Sequence, residues 1–286
     1  MKWSAGLAEI LPQEEPAERW LQYGLTPDRE RSGDLYAGLA LVARQAVRDG
    51  LAHDFFFMHK PPGLRVRFRP GDGEQARLDH LLRERLTRWT GDGVLTGWRP
   101  GVYEPETYLF GGPASMRSVH RVFTADSLAW LEHHRLRLAG ARPGPTWAMS
   151  LLLLQPLFGT LRIAGWEDLG VWERVRRHRP LAPSVSADPR LVRLARVLRA
   201  AWPRPAALAA KVSPEAAELA GEYREIVSVE GERWFRDYFE SGSAGMGPRA
   251  VASYLVIFHW NRAGLSAAHQ ALIAEALLVR DAEEAR

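Results

Sequence analysis

The chain has 286 residues, 46% of them apolar, with 38 Lys and Arg against 34 Asp and Glu, a net charge of +4 and no cysteine. This length suits one large domain or two modest ones, and the missing thiols exclude disulfides and thiolate chemistry, in agreement with a reducing cytoplasm as the expected compartment. The longest apolar run, residues 147–158, is interrupted by Ser150, Gln155 and Pro156 and is too short to span a bilayer. The mild positive charge comes with no nucleic-acid recognition motif, so neither membrane nor nucleic acid is an expected partner.

Residues 1–32 read as loosely organised, because Pro12, Pro16 and Pro27 interrupt short apolar pieces. Asp34 is placed to cap a helix over 34–49 with Leu35, Leu39, Val42 and Val47 inward, closed by Gly50. Phe55, Phe56, Phe57 and Met58 predict a buried strand, and Lys60-Pro61-Pro62-Gly63 a turn. From Leu64 to Arg69 the residues alternate, Leu64, Val66 and Phe68 facing one layer and Arg65, Arg67 and Arg69 the other, so the two runs predict an antiparallel hairpin. A helix is expected over 74–89, a turn at Gly91-Asp92-Gly93, and one bent strand or two over 94–110. Period two in that stretch puts Val102, Glu104, Glu106, Tyr108 and Phe110 on one face, and Pro105 suits a sheet edge. A helix over 114–138 follows, with a break expected near Asp126-Ser127.

From Gly144 onward the chain reads as helical, with helices at 145–155, 166–177, 189–201, 214–228, 231–239, 248–262 and 266–280, several of them starting at or near proline. Gly242 to Gly247 is a flexible loop, and the stretch 179–189, rich in Pro, Ser and Ala, is the best linker candidate. The expected fold is α+β: an antiparallel sheet with flanking helices over about 33–140, then a mostly helical half over about 144–286, in a single domain.

Three arginines on one strand face repel unless they meet solvent, carboxylates or an anionic ligand. Glu104 and Glu106 are available for an ion-pair ladder, and the alternative is a cradle for an acidic or amide-rich substrate. His59, His120 and His259 each sit among apolar or structured residues, His133 and His134 are adjacent and diverge on a helix, and none has metal-ligand spacing. His259 follows a strongly apolar turn and shares a helical face with Arg262. No phosphate-binding glycine loop and no Gly-x-Ser-x-Gly elbow is present. No metal and no cofactor is therefore expected.

Three blocks in order carry a resemblance. They are Phe55-Phe56-Phe57 with Pro62-Gly63-Leu64-Arg65-Val66-Arg67-Phe68; Tyr103-Glu104-Pro105-Glu106 with Phe110-Gly111-Gly112, His120, Phe123 and Asp126-Ser127; and His259-Trp260-Asn261-Arg262. Together they resemble the thiopeptide-type bacteriocin biosynthesis family, which is similar to the glutamate-elimination domain of lantibiotic dehydratases. The resemblance implies action without a cofactor on a ribosomally made, leader-bearing precursor peptide, alongside other enzymes of the pathway. It implies either elimination of glutamate from glutamylated Ser or Thr, or pyridine synthesis, in which two dehydroalanines join with loss of water and leader. A leader-binding partner without catalysis is the non-enzymatic alternative. Eliminating members resemble Tyr-x-Pro-Glu-x-x-Arg-Tyr-Gly-Gly in the second block; here Leu109 stands at the arginine position, which favours the pyridine synthase. Under that reading Tyr103, Glu104, Tyr108 and His259 are the candidate proton-transfer residues. Arg65, Arg67, Phe110, Asp126, Ser127 and Arg262 are the candidate substrate-binding residues.

Overall fold

The computed structural model describes residues 20–182 and 189–278. Four antiparallel strands form one sheet: β1 (Leu21–Pro27), β2 (Ala52–Lys60), β3 (Gly63–Pro70) and β4 (Leu95–Gly101), in the order β2-β3-β1-β4. Helix α1 (Ser32–Arg48) joins β1 to β2 and α2 (Gln75–Gly91) joins β3 to β4. A 3-10 turn, Thr107–Phe110, leads into α3 (Pro113–Leu138). The remainder is helical: α4 (Thr146–Thr160), α5 (Glu167–His178), α6 (Pro189–Ala201), α7 (Pro205–Ala209), α8 (Pro214–Trp234) continued by a π-helical turn (Phe235–Phe239), α9 (Pro248–Arg262) and α10 (Ala267–Leu278).

The expected hairpin is present, with Phe55 opposite Phe68 and Phe57 opposite Val66. These side chains, with Tyr23, Leu25 and Leu64, are buried, as are Leu35, Leu39 and Val42 of α1 and Leu78, Leu82 and Leu86 of α2 in the same apolar core. Helix α3 lies along the outer edge of β2 and satisfies its backbone with side chains. Thr124 Oγ1 accepts the Phe55 N–H at 3.0 Å, Ser127 Oγ accepts the Phe57 N–H at 3.2 Å, and Arg121 donates to the His53 carbonyl at 2.7 Å. Covering an edge in this way blocks further strand pairing.

Several expectations are corrected. Within the stretch read as loose, residues 21–27 form β1, held between β3 and β4 by pairing with residues 39 or more positions away; residues 1–19 lie outside the described residues. Asp34 lies in the first turn of α1 rather than at its cap, which is Arg31. The stretch 94–110 is a strand only to Gly101. Helix α3 runs unbroken through Asp126-Ser127, because Ser127 is tied to β2 and Asp126 to α9. Residues 214–239 form one continuous rod, and α4 passes through Pro156 to Thr160. Of the linker candidate, residues 183–188 lie outside the described residues, as do 279–280 of the last expected helix.

Candidate active site

The register of the sheet arranges its polar face in rows. Phe56, Arg67, Gln22 and Gly101 form one row across the four strands, and Met58, Arg65, Gly24 and Arg99 the next. Asp54 stands opposite Arg69 and binds it at 2.6 Å, with Arg121 at 3.4 Å from its other oxygen. Burial pushes the Asp54 carboxyl up, against the pull of the two guanidinium groups. The expected ladder with Glu104 and Glu106 is therefore replaced for Arg69 by Asp54. Glu106 acts at longer range, adding to the rise that burial gives the Tyr103 phenol and offsetting part of the fall that burial gives the Arg67 guanidinium.

Arg67 is the buried member of the arginine strand. Its Nε donates to Gln22 Oε1 at 2.7 Å, and its guanidinium lies 4.9 Å from the Phe56 ring centroid and 4.8 Å from that of Tyr103. Stacking on aromatic faces suits a planar, delocalised cation. Burial draws Arg67 below its ordinary value. The Tyr103 hydroxyl lies 3.0 Å from His120 Nε2, and the Trp20 ring is 4.4 Å from the His120 ring. Burial, then Arg69 and Arg67, hold His120 down to about 3, so it is neutral near pH 7. Burial also pushes the Tyr103 phenol up. The phenol therefore keeps its proton, and two neutral groups share this hydrogen bond.

Behind this cluster lies a second, fully buried one. Phe123 connects them: its ring is 5.2 Å from Phe56 on one side and 4.3 Å from the Arg262 guanidinium on the other. Arg262 Nε donates to Asp126 Oδ2 at 2.5 Å, and His259 Nδ1 lies 2.6 Å from Asp126 Oδ1. Burial raises Asp126, but His259 and Arg262 outweigh it and hold the carboxyl below its usual range. The Trp130 indole N–H reaches His259 Nδ1 at 3.2 Å, and His259 Nε2 lies 2.9 Å from the Ser150 hydroxyl. Ser150 in turn accepts from the Trp260 indole N–H at 3.0 Å. The residues of this network are at most 3% exposed. Among the described residues, no group of three or more His, Cys, Asp or Glu is arranged to hold a metal ion, and no helix is long and apolar enough to cross a membrane.

The chain matches the family described as "Lantibiotic biosynthesis dehydratase C-term" over residues 20–280. It belongs to that family. Among solved structures it is similar to the tRNA dependent lantibiotic dehydratase MibB from Microbispora sp. 107891, with 21% identity and a TM-score of 0.64, covering 92% of this chain and 28% of that one. It therefore spans little more than a quarter of that dehydratase's length. It is also similar to TbtD, a pyridine synthase from thiomuracin biosynthesis, with 17% identity and a TM-score of 0.50, covering 91% of this chain and 97% of that one. At these identities the likeness is one of fold. No curated protein matches the chain.

In this member of the dehydratase C-terminal family the residues singled out in the sequence fall into three places. Tyr103 and Arg67 meet at the sheet, and Asp126, His259 and Arg262 meet in the core. Glu104 and Tyr108 are exposed, Tyr108 at 75%, and touch neither cluster. Phe110 is buried against Phe123 and Phe258, and Ser127 holds the β2 backbone. The Gly111-Gly112 pair has a conformational reason: Gly111 has a φ of +88°, and a Cβ there would fall 1.9 Å from the Tyr238 hydroxyl. Sequence reasoning assigned no site role to Gln22, Trp20, Phe56, His120 or Ser150. His120 was visible as a histidine within the second block; Gln22 and Trp20 carried no signal, because β1 itself was not seen.

Proposed function

We propose that the protein is a thiopeptide pyridine synthase: it joins two dehydroalanines of a leader-bearing precursor peptide into a six-membered nitrogen ring. The observation that carries this reading is Leu109. An eliminase of this family needs a guanidinium beside the departing glutamate, and this chain has an apolar side chain packed against the core instead. The match to 97% of a pyridine synthase agrees with it.

One dehydroalanine reacts through the imidic acid tautomer of its amide. Two C–C bonds then form to the second dehydroalanine, one between the two methylene carbons and one from the imidic carbon to the second α-carbon, the ring nitrogen being the amide nitrogen already in place. The imidic oxygen then leaves as water, and the leader leaves as its amide, taking the nitrogen and a proton; the sequence needs no oxidant. Tyr103 suits the tautomerisation, since its neutral phenol, hydrogen-bonded to His120, can give a proton to an amide oxygen and accept one from an amide N–H. Arg67, fixed by Gln22, offers its free edge to a peptide carbonyl. Holding the two reacting ends at contact distance supplies the remaining acceleration. Glu104 and Tyr108, exposed on the loop beside this face, would meet the core peptide. The buried position of His259 favours a supporting part for it, fixing Arg262 through Asp126.

Glutamate elimination is the second reading, favoured by Arg67 beside Tyr103 and Arg65 in the next row of the same sheet face. The test is incubation with a leader-bearing bis-dehydroalanine peptide and, in parallel, a glutamylated peptide, followed by mass spectrometry. Loss of water and leader amide supports the synthase. Loss of glutamate alone supports the eliminase, and binding without either product supports a leader-binding partner.

A further inference from the structure

The polar face of the sheet continues past Arg67 into an open groove of about 580 Å³. Its presence follows from the register. In the row Met58, Arg65, Gly24 and Arg99, the β1 position has no side chain, and Gly97 and Gly101 of β4 also line the groove. The Arg99 side chain lies across the gap, its Cγ 3.5 Å from where a Cβ on Gly24 would stand. Above Gly97 there is open space, with no atom within 4 Å of a Cβ built there.

The charge of the groove is one-sided. Lys60, Arg65 and Arg99 line it, and none of its lining residues is Asp or Glu. None of these three cations has a salt bridge or side-chain hydrogen bond among the described residues, whereas Arg69 is paired with Asp54. Like charges gathered without counter-ions are costly unless an anion or water meets them. One end of the groove is Gln22, whose two amide atoms hold Arg67 and the Val102 carbonyl, so the groove opens directly onto the Tyr103 cluster. Val102 lines that end and is 84% exposed, which adds an apolar contact beside the cations.

We infer that this groove docks an acidic, extended segment of a peptide, with its carboxylates on Lys60, Arg65 and Arg99 and its backbone over Gly24 and Gly97. The inference rests on the peptide-substrate reading above and adds where the segment outside the reacting part is held and what chemistry it carries. The volume is that of a small-ligand pocket, enough for a few residues of chain. A folded nucleic acid is the poorer occupant, since its phosphates need a broad basic surface and here three cations converge on one narrow cleft.

The test measures binding, independently of turnover. The probe is a fluorescein-labelled peptide alternating glutamate and threonine, with its Gln-for-Glu counterpart as control, titrated with the full chain by fluorescence anisotropy. The acidic probe is expected to bind at least about tenfold more tightly than the control. Lys60→Glu and Arg99→Glu, both at exposed positions, are each expected to weaken it about tenfold. Gly97→Leu places its Cβ in open space, with the rest of the side chain added to the groove wall, and is expected to weaken both peptides. Unchanged affinity in all three variants, or binding of the acidic probe no tighter than the control, overturns the inference. So does displacement of the acidic probe by bulk tRNA at lower concentration than by unlabelled peptide. Product formation by mass spectrometry is read separately: a wild-type enzyme that makes pyridine while the groove variants bind normally removes the groove and leaves the synthase.

Discussion

Tyr103 and His120 hold their side chains 3.0 Å apart, the phenol on a loop leaving the sheet and the imidazole on the helix that follows. Each is buried enough to keep its neutral form, so the pair is a hydrogen bond between neutral groups rather than an ion pair, and the proposed mechanism uses it for proton transfer. Tyr103→Phe removes the donor and keeps the packing. The expected result is a fall in kcat of about 10²-fold with KM little changed. His120→Gln keeps an acceptor and is expected to lose less. Single-turnover measurement on a bis-dehydroalanine peptide checks both, and equal kcat for Tyr103→Phe and wild type removes Tyr103 from the chemistry.

Asp126 is the only carboxylate bound to Arg262 and His259 among the described residues. Asp126→Ala leaves a buried guanidinium without compensation, so a loss of roughly 3–5 kcal/mol is expected. Urea unfolding followed by circular dichroism measures it. A loss of under about 1 kcal/mol would mean that water reaches the site.

Leu109 carries the proposed choice between the two chemistries. A charge-assisted bond to a departing carboxylate contributes about 1.5–3 kcal/mol, or roughly one to two powers of ten in rate. The wild-type chain is therefore expected to eliminate glutamate poorly, and Leu109→Arg to raise that rate by about ten- to a hundredfold. Side-by-side assays on glutamylated and bis-dehydroalanine substrates check it. Robust elimination by the wild type with no cyclised product reverses the choice.

Acid should weaken the fold before its carboxylates titrate. Burial holds His120 and His134 down to about 3 and His133 down to about 4. In the unfolded chain each titrates near its ordinary value of about 6.5. Above that value both states are neutral and stability is level. Between about 6.5 and the folded values the unfolded state binds more protons, so stability falls as pH falls, by up to about 1.4 kcal/mol per pH unit for each histidine. Unfolding midpoints taken from about pH 7 to about pH 5 should decline steadily, and His120→Gln should flatten the slope by one histidine's share.

Local pattern carried most of the elements and little of the site. Strict alternation from Leu64 to Arg69 and the apolar run at Phe55–Phe57 determined a hairpin with arginines on one face, and proline at helix starts marked α8 and α9. Alternation in 21–27 was equally regular, but Gly24 and the surrounding prolines hid a strand whose partners are distant in the chain. Glu104 and Tyr108 were chosen by strand period, and they stand exposed because the stretch is a loop and a 3-10 turn, where that period has no meaning.

What the sequence by itself determined is therefore chemical type and local face: an arginine strand, a family pattern and an apolar residue at position 109. Only the tertiary structure decided which of these residues act together. Asp126 and Ser127 are neighbours in one motif, yet a helix turns about 100° per residue, which sends Ser127 to the β2 backbone and Asp126 to Arg262, 136 positions away. The same holds for Tyr103, whose partners are Trp20 just ahead of β1, Phe56 of β2, Arg67 of β3 and His120 of α3. Such contacts are set by how layers pack around a shared core, and no periodicity within a segment encodes which distant side chain that packing brings to it.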